Sequence, residues 1–206
     1  GRKFYISGAC RKQCEIMIVM GKTDPNNTNR YIQQSQVLVP MNTSGVTVVR
    51  PMQVFGYLDA PEGHAEVTFD NVRVPVGNII VGEGKGFEIA QGRLGPGRIH
   101  HCMRWIGICE RAVGLMCGRA SSRELSPNKY LAEKQTIQNW ISESAAAIYG
   151  ARLMVLDCAK KIEAHQTKGA RKEISMIKFH VADILMNVLD KAIQAHGALG
   201  MTEYTP

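Results

Sequence analysis

The sequence predicts an α+β chain: an antiparallel β-domain, a small barrel or meander, followed by a bundle of long helices. Three observations carry that reading. Short β-branched and aromatic runs broken by turn signals fill roughly the first 80 residues. The apolar period then switches to that of helices near Phe87. A heptad seam finally persists from Ile141 to Ile162. The switch divides the chain into residues 1–83, a β-domain whose front part lies outside this sequence, and residues 84–206, a helical domain.

Five strands are expected in the first part: Phe4–Ser7, Glu15–Met20, Gln36–Pro40, Val46–Pro51 and Glu66–Phe69. Between them stand Asp24-Pro-Asn-Asn, Asn42-Thr-Ser-Gly45 and Asp70-Asn71, residues that favour turns because they accept left-handed or fixed backbone angles. The spacing suits antiparallel neighbours joined by short loops.

Three helices are expected next. The first runs from about Phe87 to Arg123, with a bend expected at Pro96. The second, about Tyr130 to Gln166, repeats Ile141, Ile148, Val155 and Ile162 every seven residues. Ser144, Ala151 and Cys158 follow three residues after the first three, and their small size lets a neighbouring helix come close. The third, about Lys172 to Ala198, repeats Ile174, Val181, Val188 and Ala195. Three antiparallel helices with short loops make most of a four-helix bundle. A fourth helix is expected beyond Pro206, leaving this core incomplete on its own.

Composition removes several classes of function. The net charge of +7 comes from scattered Lys and Arg, without the basic stripe and interleaved aromatics of a nucleic-acid surface. The longest apolar stretch, around Ala145 to Leu156, is interrupted by Arg152 and is too short to span a bilayer. Cys10, Cys14, Cys102, Cys109, Cys117 and Cys158 form no C-x-x-C pair and no disulfide framework, which suits a reducing compartment. No second ligand pair accompanies Cys10 and Cys14, so no metal site is expected. The first residue is not Met and sits against a strand, as in a segment of a longer protein.

The stretch Gly82-Glu-Gly-Lys-Gly-Phe87 leading to Gly92-Arg-Leu-Gly-Pro-Gly-Arg98 is the densest in chemistry. Glycines at a strand-to-helix junction, with Arg98 just past the helix start, suggest an anion site of the phosphate kind. Ordinary turn chemistry explains the same glycines, and the spacing fits neither a P-loop nor a dinucleotide fingerprint.

Four segments together carry a resemblance: Gly1-Arg-Lys-Phe-Tyr-Ile-Ser-Gly-Ala9; Val39-Pro-Met-Asn-Thr-Ser-Gly-Val46; Val67-Thr-Phe-Asp-Asn-Val-Arg-Val-Pro75 running into Gly82–Phe87; and Gly92-Arg-Leu-Gly-Pro-Gly-Arg-Ile-His-His-Cys-Met-Arg104. In these the chain resembles the acyl-CoA dehydrogenase family over essentially its whole length, in particular the branch that contains mammalian members ten and eleven. The resemblance implies an FAD enzyme that oxidises the Cα–Cβ bond of acyl-CoA thioesters in fatty-acid β-oxidation. A carboxylate takes the α proton, a hydride leaves the β carbon for the flavin, and electrons pass on to a soluble electron-transfer flavoprotein. It also implies a homodimer or homotetramer, with mitochondrial residence or, alternatively, peroxisomal.

Carried over by position, Tyr5, Ile6 and Ser7 match the family's W-I-T/S segment beside the isoalloxazine ring, with Tyr5 in place of Trp; as bare residues they read as an edge strand. Arg98 matches an arginine near the acyl-CoA, and otherwise reads as a solvated helix arginine. Arg123 and Gln135 resemble the R-x-x-F…Q signature that reaches a dimer partner's FAD, although the Phe is absent and the spacing is one residue long. Gln194, Gly197, Ala198 and Gly200 match the Q-x-x-G-G-x-G turn near the adenosine-pyrophosphate side, with Ala198 replacing the middle glycine. That turn also reads as a helix C-cap, and the two roles are compatible.

The family's usual glutamate base belongs to a later segment, and the alternative position on the first bundle helix is Gly97 here. No catalytic residue is therefore assigned within the chain. Glu203 belongs to the earlier turn. Of the adjacent His100 and His101, which diverge by about 100° on a helix, at least one is expected to pack or hydrogen-bond. Two other readings stay open: a non-catalytic acyl-CoA- or FAD-binding scaffold, and an acyl-CoA oxidase.

Overall fold

The computed structural model describes residues 1–59 and 63–205; Pro206, the last residue of the expected helical domain, lies outside them. The chain divides into two compact units, Gly1–Gln91 and Gly92–Pro206.

The first unit contains five strands: β1 (Arg2–Ser7), β2 (Ile16–Lys22), β3 (Gln34–Pro40), β4 (Val46–Pro51) and β5 (His64–Phe69). All pairings are antiparallel. β2 and β3 form a hairpin, while β1 lies beside β5 rather than β2, in a sheet ordered β1-β5-β4. Pairing the first strand with the last closes the segment over a small core of Ala9, Met17, Ala65 and Val67. Lys3 Nζ donates to the Met20 carbonyl at 2.6 Å, which ties the two sheets together. Glu66 on the central strand is 1% exposed and is held by Arg2 from β1 and Arg50 from β4.

Helix α1 runs Gly86–Ser122 and passes without interruption through Pro96. Its first turns belong to the first unit for a local reason. Gln36 Nε2 donates to the Gly86 carbonyl at 3.1 Å, and Phe87 stacks on Tyr31 with ring centroids 5.0 Å apart. A Cβ on Gly86 would stand 2.9 Å from the β3 backbone, so only glycine allows that approach.

In the second unit α1 continues and is followed by a small hairpin, β6 (Glu124–Ser126) and β7 (Lys129–Tyr130), that the sequence pattern did not indicate. Its turn rests on Asn128 at φ 59°. The hairpin delays α2 to Gln135, so Tyr130 is a strand residue and not the start of the helix. Helices α2 (Gln135–Gly169) and α3 (Arg171–His196) meet at the fully buried Ala170 and pack against each other. Every expected small or branched seam residue from Ile141 to Ala195 is buried, apart from the half-buried Ile141 and Ile162. Cys102, Ile106, Cys109 and Met116 on α1 complete the core. Helix α3 stops at His196 and not Ala198, because Gly197 turns to φ 64°.

Candidate functional site

The Tyr5–Ser7 segment lies on β1, an edge strand, as its residue types indicate. The structure adds what the pattern did not show. The β1–β5 register slips between Lys3 and Ile6, and Tyr5 sits at φ 54°, a conformation that L-residues with a Cβ resist at a cost of about 1–3 kcal/mol. The bulge leaves the Tyr5 ring half exposed, at 52%, beside an open hollow of about 560 Å³. Arg50, Pro51, Met52, Gln53 and Leu58 line the rest of it. The Tyr5 N–H points to the Met52 sulfur at 3.5 Å. Ile6 turns inward and packs on the small core.

Ser7 faces His64 across the ladder. Its Oγ lies 3.0 Å from His64 Nδ1, and His64 Nε2 lies 3.2 Å from Asp59 Oδ2. The Tyr5 and His64 rings meet edge-on at 6.4 Å. Beside this group, hydrogen bonds from Arg50 and Arg2 hold the Glu66 carboxyl below its ordinary pKa against the opposing effect of burial. Glu66 is thus a fixed anion that joins three strands.

Arg98 stands more than three turns into α1, since the helix begins at Gly86. The expected anion site at a helix start is corrected accordingly: Gly92, Gly95 and Gly97 are helical, and Arg98 is remote from the free N–H groups of the first turn. Arg98 is a half-buried residue and forms no ion pair among the described residues. His101 accepts from Arg104 at 2.6 Å through Nδ1 and packs on Trp105, as expected for one of the two histidines. Desolvation first, then the nearby positive charges of Arg104 and Lys178, lower its pKa.

The remaining candidates stand at helix ends: Arg123 just past α1, Gln135 at the start of α2 and the Gln194–Gly200 turn at the end of α3. Lys191 on α3 pairs with Glu143 on α2 at 2.9 Å, so the start of α2 and the end of α3 lie together. Arg123 closes α1, its N–H donating to the Arg119 carbonyl, and its carbonyl receives the Leu131 N–H. The Arg123 side chain is exposed, and Gln135 Nε2 donates to Asn139 Oδ1 at 2.9 Å. Gln194 is exposed on α3, and its carbonyl accepts the Gly197 N–H. Nothing lies within 4 Å of a Cβ built on Gly197, so its backbone faces open space and its glycine is required by φ alone. Gly200 is glycine for packing, since a Cβ there would meet the Ile193 carbonyl at 2.6 Å. Ala198 is exposed. A hollow of about 210 Å³ adjoins this turn, lined by Ala112, Leu115, Leu189, Ala192, His196 and Gly200 among others.

Along α1 the 24 residue steps from Arg98 to Ser122 span roughly 36 Å. Arg98 therefore shares no small-molecule subsite of its own chain with Arg123. The structure brings together Tyr5, Ser7 and His64 in one place; Arg123 follows the end of α1, Gln135 opens α2 and the Gln194–Gly200 turn closes α3.

Comparison with known proteins agrees with this architecture. Residues 84–206 match the family model of the acyl-CoA dehydrogenase C-terminal domain. Acyl-CoA dehydrogenase family member 11 of Gallus gallus is 48% identical over 207 residues, covering 100% of this chain and 26% of the relative. Family member 10 of Mus musculus is 50% identical over 206 residues, again 100% of this chain and 19% of the relative. A solved structure from Mycobacterium abscessus assigned to the acyl-CoA dehydrogenases superposes at TM-score 0.93 with 43% identity, over 100% of this chain and 50% of that one. The chain thus spans about a quarter or less of the two curated relatives, and it belongs to the acyl-CoA dehydrogenase family, in the branch of members ten and eleven.

Proposed function

We propose that the protein containing this chain is an FAD-dependent dehydrogenase that oxidises the Cα–Cβ bond of acyl-CoA thioesters and passes the electrons to an electron-transfer flavoprotein. Family membership supports the reaction class, and the single structural observation that carries the flavin reading is the bulged edge strand. An aromatic ring held exposed at positive φ, a hydroxyl two residues on and an adjoining hollow are what a planar ring system needs for packing and for one directed hydrogen bond.

FAD, when bound, supplies the two-electron acceptor. Tyr5 packs on the ring system, Ile6 anchors the strand in the core, and Ser7 addresses the ring's polar edge. Arg98 brings an unpaired positive charge to the anionic thioester ligand. Arg123, Gln135, Gln194, Gly197, Ala198 and Gly200 hold the nucleotide end. Their separation from Arg98 along α1 fits service to the FAD of a second copy, so a homodimer or homotetramer is part of the proposal. Tyr149, Phe179 and Met186 leave apolar side chains 66%, 62% and 66% exposed on α2 and α3, which suits burial between copies. None of the described carboxylates is assigned as the base. Residence is proposed to be mitochondrial, with the peroxisome as alternative; among the described residues no helix is long and apolar enough to cross a membrane.

An anaerobic visible spectrum of the full-length protein, before and after a long-chain acyl-CoA, tests the proposal. Bleaching of a flavin band is the expected result. A band that stays would favour the binding-only reading, and oxygen uptake after bleaching would favour an oxidase. A protein that takes up no FAD on reconstitution would refute the cofactor assignment.

A further inference from the structure

Within the helical unit, α1 and α3 are joined where Cys102 Sγ donates to the Ile177 carbonyl at 3.5 Å, both residues lying in the core. His101 precedes that cysteine and Lys178 follows that isoleucine, so both stand at the rim of a rigid contact. Lys178 Nζ sits 3.8 Å from the centre of the Trp105 ring, and the His101 ring meets the same indole at 6.0 Å. Arg104 completes the group, its guanidinium 2.6 Å from His101 Nδ1. A guanidinium only donates, so Nδ1 accepts and the neutral imidazole carries its proton on Nε2. Each polar group of the cluster thus has N–H to offer and none has a free lone pair.

No carboxylate answers these donors. Among the described residues neither Arg104 nor Lys178 forms an ion pair, whereas Arg2, Arg50, Arg152, Lys161 and Lys191 all do. On α1 no Asp or Glu stands between Glu88 and Glu110, and Glu110 is engaged by Arg152. On α3 none stands within four residues of Lys178. Arg98, one turn before His101 on α1, is half-buried and adds a further unpaired cation. The charges that act on His101 all lower its pKa, and no negative charge opposes them. Like charges held together on a core-anchored surface repel, a cost that a bound anion offsets.

We propose that His101, Arg104 and Lys178 form a binding site for a phosphate monoester beside the Trp105 indole. A phosphate dianion brings two charges and three terminal oxygens to two cations and one neutral N–H. A carboxylate brings one charge and two oxygens and leaves a cation unanswered. The site belongs to the helical unit and does not depend on the flavin reading.

The test titrates phenyl phosphate and inorganic phosphate into the full-length protein, followed by ³¹P NMR, at about 0.15 M chloride to screen diffuse attraction. Arg104→Gln removes a cation from an exposed position, and Lys178→Met keeps an apolar stem beside Trp105 without the ammonium. Each should weaken phosphate binding at least about tenfold, the worth of a charged hydrogen bond. Arg111→Gln, at an exposed cation on α1 outside the cluster, should change it less than about twofold. Coenzyme A and dephospho-coenzyme A identify the source. A loss for coenzyme A alone in Arg104→Gln supports the site and assigns it to that ligand's own phosphate. Unaltered binding of both coenzymes, with phosphate binding still lost, supports a phosphate carried by another molecule. No saturable phosphate binding by the wild type overturns the proposal, as when a carboxylate from the rest of the protein fills the site. Unchanged affinity in both cluster variants, or equal weakening in Arg111→Gln, overturns it as well.

Discussion

The two units of the chain are stabilised differently. The helical unit buries a continuous apolar seam, in which Ile106, Met116, Val155, Ile177, Val181 and Val188 are at most 2% exposed. The β unit buries little: its core cluster is Ala9, Met17, Ala65 and Val67, and its largest side chain below 2% exposure is the carboxylate of Glu66. Backbone strain divides the other way. Among the described residues, Tyr5, Phe55, Asp59, Asn71 and Val81 of the β unit stand at positive φ without being glycine, against Asn128 alone in the helical unit. Regular packing carries the helical unit. Irregular backbone, held by a few polar anchors, shapes the β unit and sets Tyr5 and the Ser7–His64–Asp59 group on its edge.

Substitutions can break that contrast. The largest effect is expected at Ile177, 1% exposed between α1 and α2: Ile177→Ala should lower unfolding free energy by about 2–5 kcal/mol. Val49→Ala on β4, at a half-exposed position, should stay within about 0.5 kcal/mol. Urea denaturation of both variants compares the units directly.

Thiol reactivity sharpens the comparison. Cys10 is exposed in the β unit, whereas burial pushes the Cys109 thiol in the helical core up to about 11. A maleimide at neutral pH should modify Cys10 at least about 100-fold faster than Cys109, because the thiolate is the nucleophile, a thiol pushed up to about 11 is only about one part in ten thousand thiolate at pH 7, and burial keeps the reagent out. Mass mapping of the labelled peptides measures the ratio. Equal rates would mean that the bundle core opens readily.

The pH response of the β unit follows from Glu66. Its folded pKa lies below the ordinary value of 4.5, chiefly through the Arg50 hydrogen bond. Its contribution is fully present above that value and is lost as pH falls through the lower, folded pKa. Acid titration of the wild type should show that loss, and Glu66→Gln should start less stable and respond less to acid. Parallel acid curves would contradict the clamp.

The helical unit was largely legible in the sequence because its contacts repeat locally. Ile148, Val155, Ile174, Val181 and Val188 announce their burial by a seven-residue period, and all are buried. The β6–β7 hairpin was missed because Asn128 supplies its turn without a glycine, directly after Pro127. In the β unit the five strands were legible, but their partners were not. The pairing of β1 with β5 spans some 60 residues, and no local period encodes it. The meeting of Ser7 with His64, and of Glu66 with Arg2, depends wholly on that pairing. Tyr5 was readable as an aromatic residue on an edge strand, whereas its left-handed backbone follows from a bulge that no residue type announces.

The central claim is that strain at Tyr5 is kept for ligand binding, and Tyr5→Gly in the full-length protein tests it most directly. Glycine accepts φ 54° freely and removes the ring. The account predicts an unliganded protein as stable as the wild type or up to about 1 kcal/mol more so, together with FAD binding weakened at least about tenfold, read by flavin fluorescence titration. Unchanged FAD affinity would contradict it, and the exposed ring on the bulged strand would then have no part in holding the cofactor.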